Sequence, residues 1–210
     1  MKGQEDVDMR RLKVYHWTIL IVPAIIMAGI LSCGDSEFEY DSSPCYLVFD
    51  NSVHQDPTLA SALTLYSGTF VTITTSQKSG ARYFVFENNQ GNRSESIFNA
   101  VDERRSLVLG KNGGLIVGYG NSVDAILYAY DRECPNCFSP NALPLKSYPI
   151  SINTVGVGTC GKCGRKYDLN GGGFIIEGDK GNKLTRYRCS TTGPYGILNV
   201  HCLWPAFQPL

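Results

Sequence analysis

Four cysteines in two C-x-x-C pairs are the residues of this sequence best suited to chemistry. Cys134 and Cys137 form the first pair, and Cys160 and Cys163 form the second. Two intervening residues let both sulfur atoms of a pair face one point, so two pairs offer four thiolates at the corners of a tetrahedron. Gly161 lies inside the second pair and permits a tight backbone turn. The spacing predicts a site for a metal centre.

These four cysteines could bind zinc, bind an iron–sulfur cluster or form disulfides, and each state would give a different function. Zinc held by four thiolates has no redox chemistry and no open coordination position, so it would fix two loops and contribute to folding. An all-thiolate [2Fe–2S] cluster would be an electron carrier of low potential. In an oxidising compartment, Cys134 or Cys137 could instead form a disulfide with Cys160 or Cys163. We favour zinc, because the N-terminus predicts export of an unfolded chain, after which a cytosolically assembled cluster would be hard to load.

The N-terminus has the layout of a secretory signal. Arg10, Arg11 and Lys13 precede an uncharged run over residues 19–31, which is too short to cross a bilayer comfortably. The run ends at Cys33, and this arrangement resembles the bacterial lipobox, in which signal cleavage leaves a lipidated cysteine as the first residue. The resemblance implies a signal peptide over residues 1–32 and a lipid on Cys33.

A lipid on Cys33 would anchor the protein to a membrane of the cell envelope, facing the periplasm or the outside. Residues 33–43 are polar and acidic and are interpreted as a tether between the lipid and the fold. An uncleaved membrane anchor is the alternative interpretation. Met9 is a plausible true start, because the residues before it add acidic side chains ahead of the basic segment.

Composition favours a folded, strand-rich chain and disfavours a dedicated nucleic-acid binder. The 210 residues include 19 Lys and Arg against 19 Asp and Glu, so no polyanionic partner is indicated. Hydrophobic residues make up 43% and charged residues 18%, with 22 Gly and 12 Tyr. A domain over residues 44–210 can bury a sizeable core without disulfides, so the cysteines should have a role of their own.

Short segments rich in Val, Ile, Tyr and Phe alternate with turn residues, which predicts an antiparallel all-β fold. One segment, near residues 96–105, is a helical candidate, although its charges also suit a loop or the flank of a hairpin. Loops or turns are expected over residues 90–95 and 110–114. The predicted strands are 45–50, 69–75, 82–87, 114–119, 125–130, 148–153, 174–177, 184–189 and 197–201.

The order of motifs around the four cysteines resembles a Rieske-type domain. That family has Cys-x-His in one loop and Cys-x-x-His-Gly in the next, followed by an aromatic-Asp pair and glycines, within an antiparallel β fold. Residues 129–135, 160–168, 171–172 and 184–187 carry the resemblance. It implies that Cys134 and Cys160 correspond to the iron-binding cysteines, and that Gly164, Tyr167 and Asp168 belong to the second loop. The fold class it implies is a Rieske-like β-sandwich or barrel with a small two-loop metal-binding subdomain at about residues 131–170.

The sequence departs from that family at both histidine ligands. Cys163 occupies the second histidine position, and Asn136 occupies the first, one residue before Cys137. His54 and His201 lie outside the segment between the cysteine pairs, and we interpret them as surface or sheet-flanking residues. A His-ligated centre is therefore not expected, and an all-Cys site on a Rieske-like scaffold is.

Three further cysteines, Cys45, Cys189 and Cys202, remain after the four site residues and Cys33. Because their number is odd, at most one disulfide can form among them. No Ser/His/Asp order or carboxylate pair indicates a catalytic site. The sequence thus predicts an envelope lipoprotein with a four-cysteine metal site, at most an electron-transfer component rather than an enzyme, and with an unknown protein partner.

Overall fold

The computed structural model describes residues 39–202. The predicted signal peptide over residues 1–32 and the lipidation site Cys33 lie outside the described residues. Within them the regular secondary structure is mostly β-strand, in antiparallel sheets, which confirms the predicted all-β class. The strands are β1 (Tyr46–Asp50), β2 (Val71–Lys78), β3 (Ala81–Asn88), β4 (Arg93–Ile97), β5 (Gly114–Tyr119), β6 (Leu127–Asp131), β7 (Ile150–Ile152), β8 (Val157–Cys160), β9 (Lys166–Asp168), β10 (Phe174–Glu177), β11 (Arg188–Thr191) and β12 (Ile197–His201).

Helices in the described residues are short. They are α1 (Asn51–His54) and α2 (Pro57–Ala62), with 3-10 turns at Asp102–Arg104 and Gly110–Asn112. No helix of residues 39–202 has the length and hydropathy needed to span a membrane.

The strands form three antiparallel sheets. The first has the order β1-β12-β11, the second β4-β3-β2-β5-β6, and the third β10-β9-β8-β7. The first sheet therefore joins the beginning and the end of the described chain, because β1 pairs along its whole length with β12. The third sheet is built entirely from the segment between β6 and β11, which is also the segment that contains both C-x-x-C pairs.

The five-stranded sheet has a hydrophobic core on each face. The first core contains Leu47 of β1, Val200 of β12 and Val117 of β5, so it lies between the first and second sheets. The second core contains Ile116 of β5 together with Ile150 of β7 and residues of the cysteine loops. Neighbouring residues of β5 point to opposite faces, and burial on both explains why this strand is a continuous apolar run rather than an alternating one.

All nine predicted strands overlap observed ones, although the segment 184–189 shares only its last two residues with β11. Strand β11 begins only at Arg188, because the residues before it cross from one sheet to another. Leu184 N–H donates to Gly173 O, and Tyr187 N–H donates to Ala129 O. This crossing connects the third sheet to β6 without forming a ladder of its own.

Other elements also differ from the sequence expectations, near residue 95 and in the third sheet. The expected loop over 90–95 is a strand from Arg93 onward, since β4 pairs with β3 to complete a hairpin. The helical candidate near residues 96–105 is helical only as the 3-10 turn Asp102–Arg104. Strands β8 and β9 were not predicted, because each is short and bounded by residues that also suit turns.

Residues 39–41, within the expected tether, contact the β domain. Asp41 N–H donates to Arg186 O, and Lys111 Nζ lies 3.5 Å from an Asp41 carboxylate oxygen. The Arg186 guanidinium binds Glu39 at 2.8 Å and lies over the ring of Tyr40. The chain is thus fixed to the fold by paired charges from Glu39 onward.

Candidate metal centre

The four predicted cysteines lie in two loops that the antiparallel sheets bring together. Cys134 and Cys137 follow β6, whereas Cys160 ends β8 and Cys163 lies in the turn before β9. Because β8 and β9 pair antiparallel, the turn between them projects from one end of the third sheet. The loop after β6 reaches the same end of that sheet.

Each C-x-x-C pair is wound by backbone hydrogen bonds into a tight turn. In the first loop, Cys137 N–H donates to Cys134 O at 3.1 Å. In the second, Gly164 N–H donates to Cys160 O at 2.9 Å, and Gly164 has a φ of 70°. A positive φ strains most residues with a side chain, so glycine directly after Cys163 lets the chain turn away from the sulfur atoms.

The four sulfur atoms form one compact group. All lie within 4.8 Å of one another, and the group could hold a metal ion. The Sγ atoms of Cys134 and Cys163 are 3.9 Å apart, and those of Cys160 and Cys137 are 3.8 Å apart. A tetrahedral ion with metal–sulfur bonds of about 2.3 Å needs sulfur atoms about 3.8 Å apart. The two measured distances therefore correspond to edges of such a tetrahedron.

Half of the group is shielded from solvent. Cys134 and Cys160 are fully buried in the second core, whereas Cys137 and Cys163 are half-buried and pack against it. All four are free thiols in the structure, so none is bonded as a disulfide. An ion at their centre would thus be covered on the core side and reachable from the loop side.

The thiols influence one another electrostatically. Burial is the main cause that raises the pKa of Cys137, and hydrogen bonds with Cys163, Cys160 and Cys134 raise it further. Burial also acts to raise the pKa of Cys163, but the backbone N–H and side chain of Arg165 outweigh it and lower that pKa to about 6. Arg165 is itself held by the carbonyl groups of Asp179 and Lys180. Its positive charge therefore favours the anionic sulfur that a metal ligand must present.

A chain of hydrogen bonds supports the first loop. Asn136 Nδ2 donates to the Tyr167 hydroxyl at 3.0 Å, and that hydroxyl lies 3.3 Å from Cys134 Sγ. Since the Tyr167 oxygen accepts from Asn136, its own hydrogen is available to Cys134. Asn136 also exchanges two hydrogen bonds with the backbone of Asn182, which fixes a third loop beside the two cysteine loops.

Glu133 fixes the other side of the first loop. Its carboxylate is buried and accepts hydrogen bonds from Asn112 Nδ2, Ser147 Oγ and the backbone N–H of Tyr148. The carbonyl of Tyr148 in turn accepts from Cys134 N–H at 2.9 Å. Nothing in the sequence marks Glu133 as part of the site, because a single acidic residue beside a cysteine carries no sign of burial.

The remaining predicted residues lie elsewhere. Cys45, Cys189 and Cys202 all lie in or against the first core. The backbone carbonyl of Cys202 lies 3.0 Å from His201 Nδ1, in β12. Asn136 occupies the first histidine position of the Rieske pattern, and its side chain serves Tyr167 and Asn182 instead.

Of the two alternatives expected for His54, surface or sheet-flanking, the structure supports the second, because α1 directly follows β1 and the His54 side chain is not at the surface. Its side chain is 5% exposed and stacks on Phe49 with ring centroids 4.5 Å apart. Nδ1 lies 2.7 Å from Ser96 Oγ, and Nε2 lies 3.0 Å from Asp102 Oδ2. The three residues come from α1, β4 and a 3-10 turn, so only folding brings this Ser–His–Asp set together. We interpret it as the polar connection between these elements.

Comparisons of this chain with protein-family models, with curated proteins and with solved structures return no match. The resemblance to Rieske-type domains therefore stays a prediction, and the cysteine geometry carries the functional argument.

Proposed function

We propose that this protein is an envelope-anchored lipoprotein whose Rieske-like domain carries a structural zinc ion bound by Cys134, Cys137, Cys160 and Cys163. The observation that carries the proposal is the approach of all four sulfur atoms to within 4.8 Å of one another. Four thiolates at tetrahedral spacing are the typical ligand set of a structural zinc site. The zinc would brace two loops at one end of the third sheet.

The compactness of the group favours one ion over a [2Fe–2S] cluster. A cluster places two irons and two bridging sulfides among the four thiolates, and each iron binds only two of them. The two halves of the ligand set must then stand farther apart than the ligands of one ion. All four sulfur atoms lie within 4.8 Å of one another, which leaves little room for this separation.

The histidine-ligated centre of the Rieske family does not fit these residues. Cys163 occupies the second histidine position of that pattern in the sequence, and the side chain of Asn136, at the first, is fixed by other partners. Both ring nitrogen atoms of His54 are within hydrogen-bond distance of other side chains, Ser96 and Asp102. An all-Cys site changes the ligand chemistry, since imidazole ligands are what raise the potential of the Rieske cluster.

A structural role follows from the ligand count and from the position of the site. Four protein ligands leave a zinc ion no position for water or substrate, so it polarises nothing. The sulfur atoms join the loop after β6 to the turn between β8 and β9, across the second core. The ion would therefore contribute directly to the stability of the third sheet.

Membrane attachment through Cys33 is supported by the sequence around it. The stretch between Cys33 and Glu39 spans at most about 20 Å when fully extended. Glu39, in turn, is bound to Arg186 of the β domain. A lipid on Cys33 would hold this domain close to the membrane surface.

The test is the metal content of the full chain purified anaerobically. About one zinc per chain, no visible chromophore and loss of structure with a strong chelator are expected. Iron and acid-labile sulfide near two per chain, with a visible chromophore, would show an electron carrier instead. If Cys134, Cys137, Cys160 and Cys163 are instead found as disulfides and no metal is bound, both the zinc site and the iron–sulfur cluster are contradicted.

The matched variants are Cys137→Ser and Cys189→Ser. Both cysteines are partly buried, but only Cys137 belongs to the four-sulfur group. We expect zinc content to fall several-fold in Cys137→Ser and to stay at the parent level in Cys189→Ser. Lipidation is tested separately by incorporation of a labelled fatty acid, which Cys33→Ala should abolish.

A further inference from the structure

Two cysteines outside the metal centre lie opposite each other at one end of the first sheet. Cys45 directly precedes β1, and Cys202 directly follows β12. Tyr46 of β1 is paired with His201 of β12, so the next pair in this antiparallel register is Cys45 with Cys202. The Cys202 N–H donates to Cys45 O at 3.1 Å, which shows that the pairing continues to these residues.

The two side chains lie on the same face of the sheet. Directly opposed residues of an antiparallel pair point to the same side, and both cysteines are buried in the first core, at 3% and 5% exposure. Opposed residues have Cα atoms about 4.5–5.5 Å apart, within the range of about 4.4–6.8 Å found for disulfides. Cys45 and Cys202 therefore need little backbone movement to become bonded.

The third core cysteine is placed less favourably. Cys189 of β11 is paired with Val200, so it lies diagonally from Cys202 across the β11–β12 ladder. Diagonal neighbours are about 7–8 Å apart, beyond the usual limit for a disulfide. The Cys189 sulfur contacts the carbonyl of Leu127 at 3.4 Å instead.

We propose that Cys45 and Cys202 form a disulfide when the chain folds in an oxidising compartment, and that Cys189 remains a thiol. The oxidant is a disulfide of the compartment, either of a small molecule or of a dithiol enzyme. The thiolate of one cysteine attacks a sulfur atom of that disulfide and releases one thiolate. The second cysteine then attacks the mixed disulfide and releases the other. The two cysteines lose two electrons and two protons, and the oxidant becomes two thiols.

The bond would connect the two ends of the described domain. It closes a loop that contains the second and third sheets, and long loops are those for which cross-linking most restricts the unfolded chain. Burial raises the pKa of the Cys45 thiol, so the folded pair reacts slowly with oxidants and reductants alike. The bond therefore forms as β1 docks on β12, and the fold then protects it.

The test is disulfide mapping of the full chain refolded with zinc in a buffer of reduced and oxidised glutathione. Thiols are alkylated before reduction, and the released cysteines are alkylated with a second reagent. The expected result is a linked peptide pair containing Cys45 and Cys202, with Cys189 carrying the first reagent. Alkylation of Cys45 and Cys202 by the first reagent, or a linkage of either to another cysteine, would overturn the proposal.

The same map separates this proposal from the zinc site, with which it shares only the oxidising compartment. Disulfides among Cys134, Cys137, Cys160 and Cys163 beside an intact Cys45–Cys202 link would refute the zinc proposal alone. Zinc-protected thiols at those four positions with no Cys45–Cys202 link would refute the disulfide alone.

A stability measurement gives a second readout. With zinc in excess, we expect the oxidised chain to unfold about 5–15 °C above the reduced chain. The double variant Cys45→Ala/Cys202→Ala should show no such difference, and Cys189→Ala should retain it. An equal shift in the double variant would show that oxidation elsewhere is responsible, and so would overturn the proposal.

Discussion

At the scale of single residues, the metal centre depends on side chains that hold its thiolates in place. Tyr167 contacts the sulfur atom of Cys134, and Glu133 fixes the backbone of Tyr148, whose carbonyl accepts from the Cys134 N–H. Hydrogen bonds to metal-binding residues orient the ligands and tune their affinity. Both residues can therefore be tested without touching a ligand.

Tyr167→Phe removes one hydroxyl and keeps the ring in the second core. Cys134 then loses a hydrogen-bond donor and Asn136 loses an acceptor, so we expect zinc affinity to fall about 10- to 100-fold. Competition with a chromophoric chelator measures this change. Tyr195→Phe is the control, since that ring is half exposed and lies away from the cysteine loops. Equal affinities for the two variants would show that the Tyr167 hydroxyl does not support the site.

Glu133→Gln replaces an acceptor oxygen with an amide donor in a buried position. At least one of its three donors then loses its partner, which should lower the free energy of unfolding by about 1–3 kcal/mol. Urea denaturation at saturating zinc measures the loss. Glu177→Gln is the control, because this exposed residue forms only a surface ion pair with Lys166, expected to contribute about 1 kcal/mol or less. A Glu133→Gln variant as stable as the control would contradict the assigned role.

At the scale of secondary-structure elements, the sequence predicted strands well and short helices poorly. β2 is rich in β-branched residues and β5 in apolar ones, and both compositions are typical of strands inside a sheet. α1 and α2 span too few residues to show helical periodicity. One sequence signal does indicate the start of α2: Asp56 is an N-cap whose side chain accepts from Leu59 N–H, and Pro57 takes the first helical position.

His54→Ala tests the connection between α1, β4 and the turn at Asp102. The change removes a buried ring that packs on Phe49 and leaves the buried Asp102 carboxylate without one partner. We expect the free energy of unfolding to fall by about 2–4 kcal/mol. Val53→Ala, on the exposed side of the same helix, should stay within about 0.5 kcal/mol of the parent protein. A small loss in both variants would show that the buried contacts of His54 contribute little.

The charge of Asp41, in the segment that begins at Glu39, should stabilise the fold less in acid than at neutral pH. Burial acts to raise the pKa of Asp41, but hydrogen bonds from Ser43 and the charge of Lys111 outweigh it and lower the pKa below its ordinary value of 3.8. A depressed carboxyl pKa contributes stability above about 3.8 that is lost as the pH falls through the folded-state value. The pair is partly exposed, so the contribution should be below about 1 kcal/mol.

The variant Asp41→Asn measures this contribution. Its difference in unfolding free energy from the parent protein should be constant above about pH 4 and shrink toward zero below it. Asp124→Asn, at an exposed position, is the matched control. A difference that grows as the pH falls would contradict the assigned charge state.

At the scale of the whole molecule, a central five-stranded sheet supports two different halves. One face packs on the sheet that joins the two ends of the described chain, and the other packs on the sheet that carries the cysteine loops. The spacing of the cysteines predicted the ligand set, because two C-x-x-C pairs constrain geometry locally. It could not predict Tyr167, Asn136 and Glu133 as a supporting network, because those contacts depend on loops that meet only in the folded protein.

The two halves divide the cysteines by environment. Four lie at the loop end of the third sheet, and Cys45, Cys189 and Cys202 lie in or against the first core. A metal and a disulfide could thus coexist in one chain, because each has its own set of sulfur atoms. The sequence alone gave only the odd count of the remaining three cysteines, and the register of β1 with β12 supplies the pairing.

The most direct test of the central claim is zinc-edge X-ray absorption of the full chain. It reports the identity, number and distance of the atoms bound to the metal. We predict four sulfur atoms at about 2.3 Å and no nitrogen or oxygen ligand. A ligand shell with nitrogen or oxygen, or a chain that retains no zinc when all four thiols are reduced, would contradict the assignment.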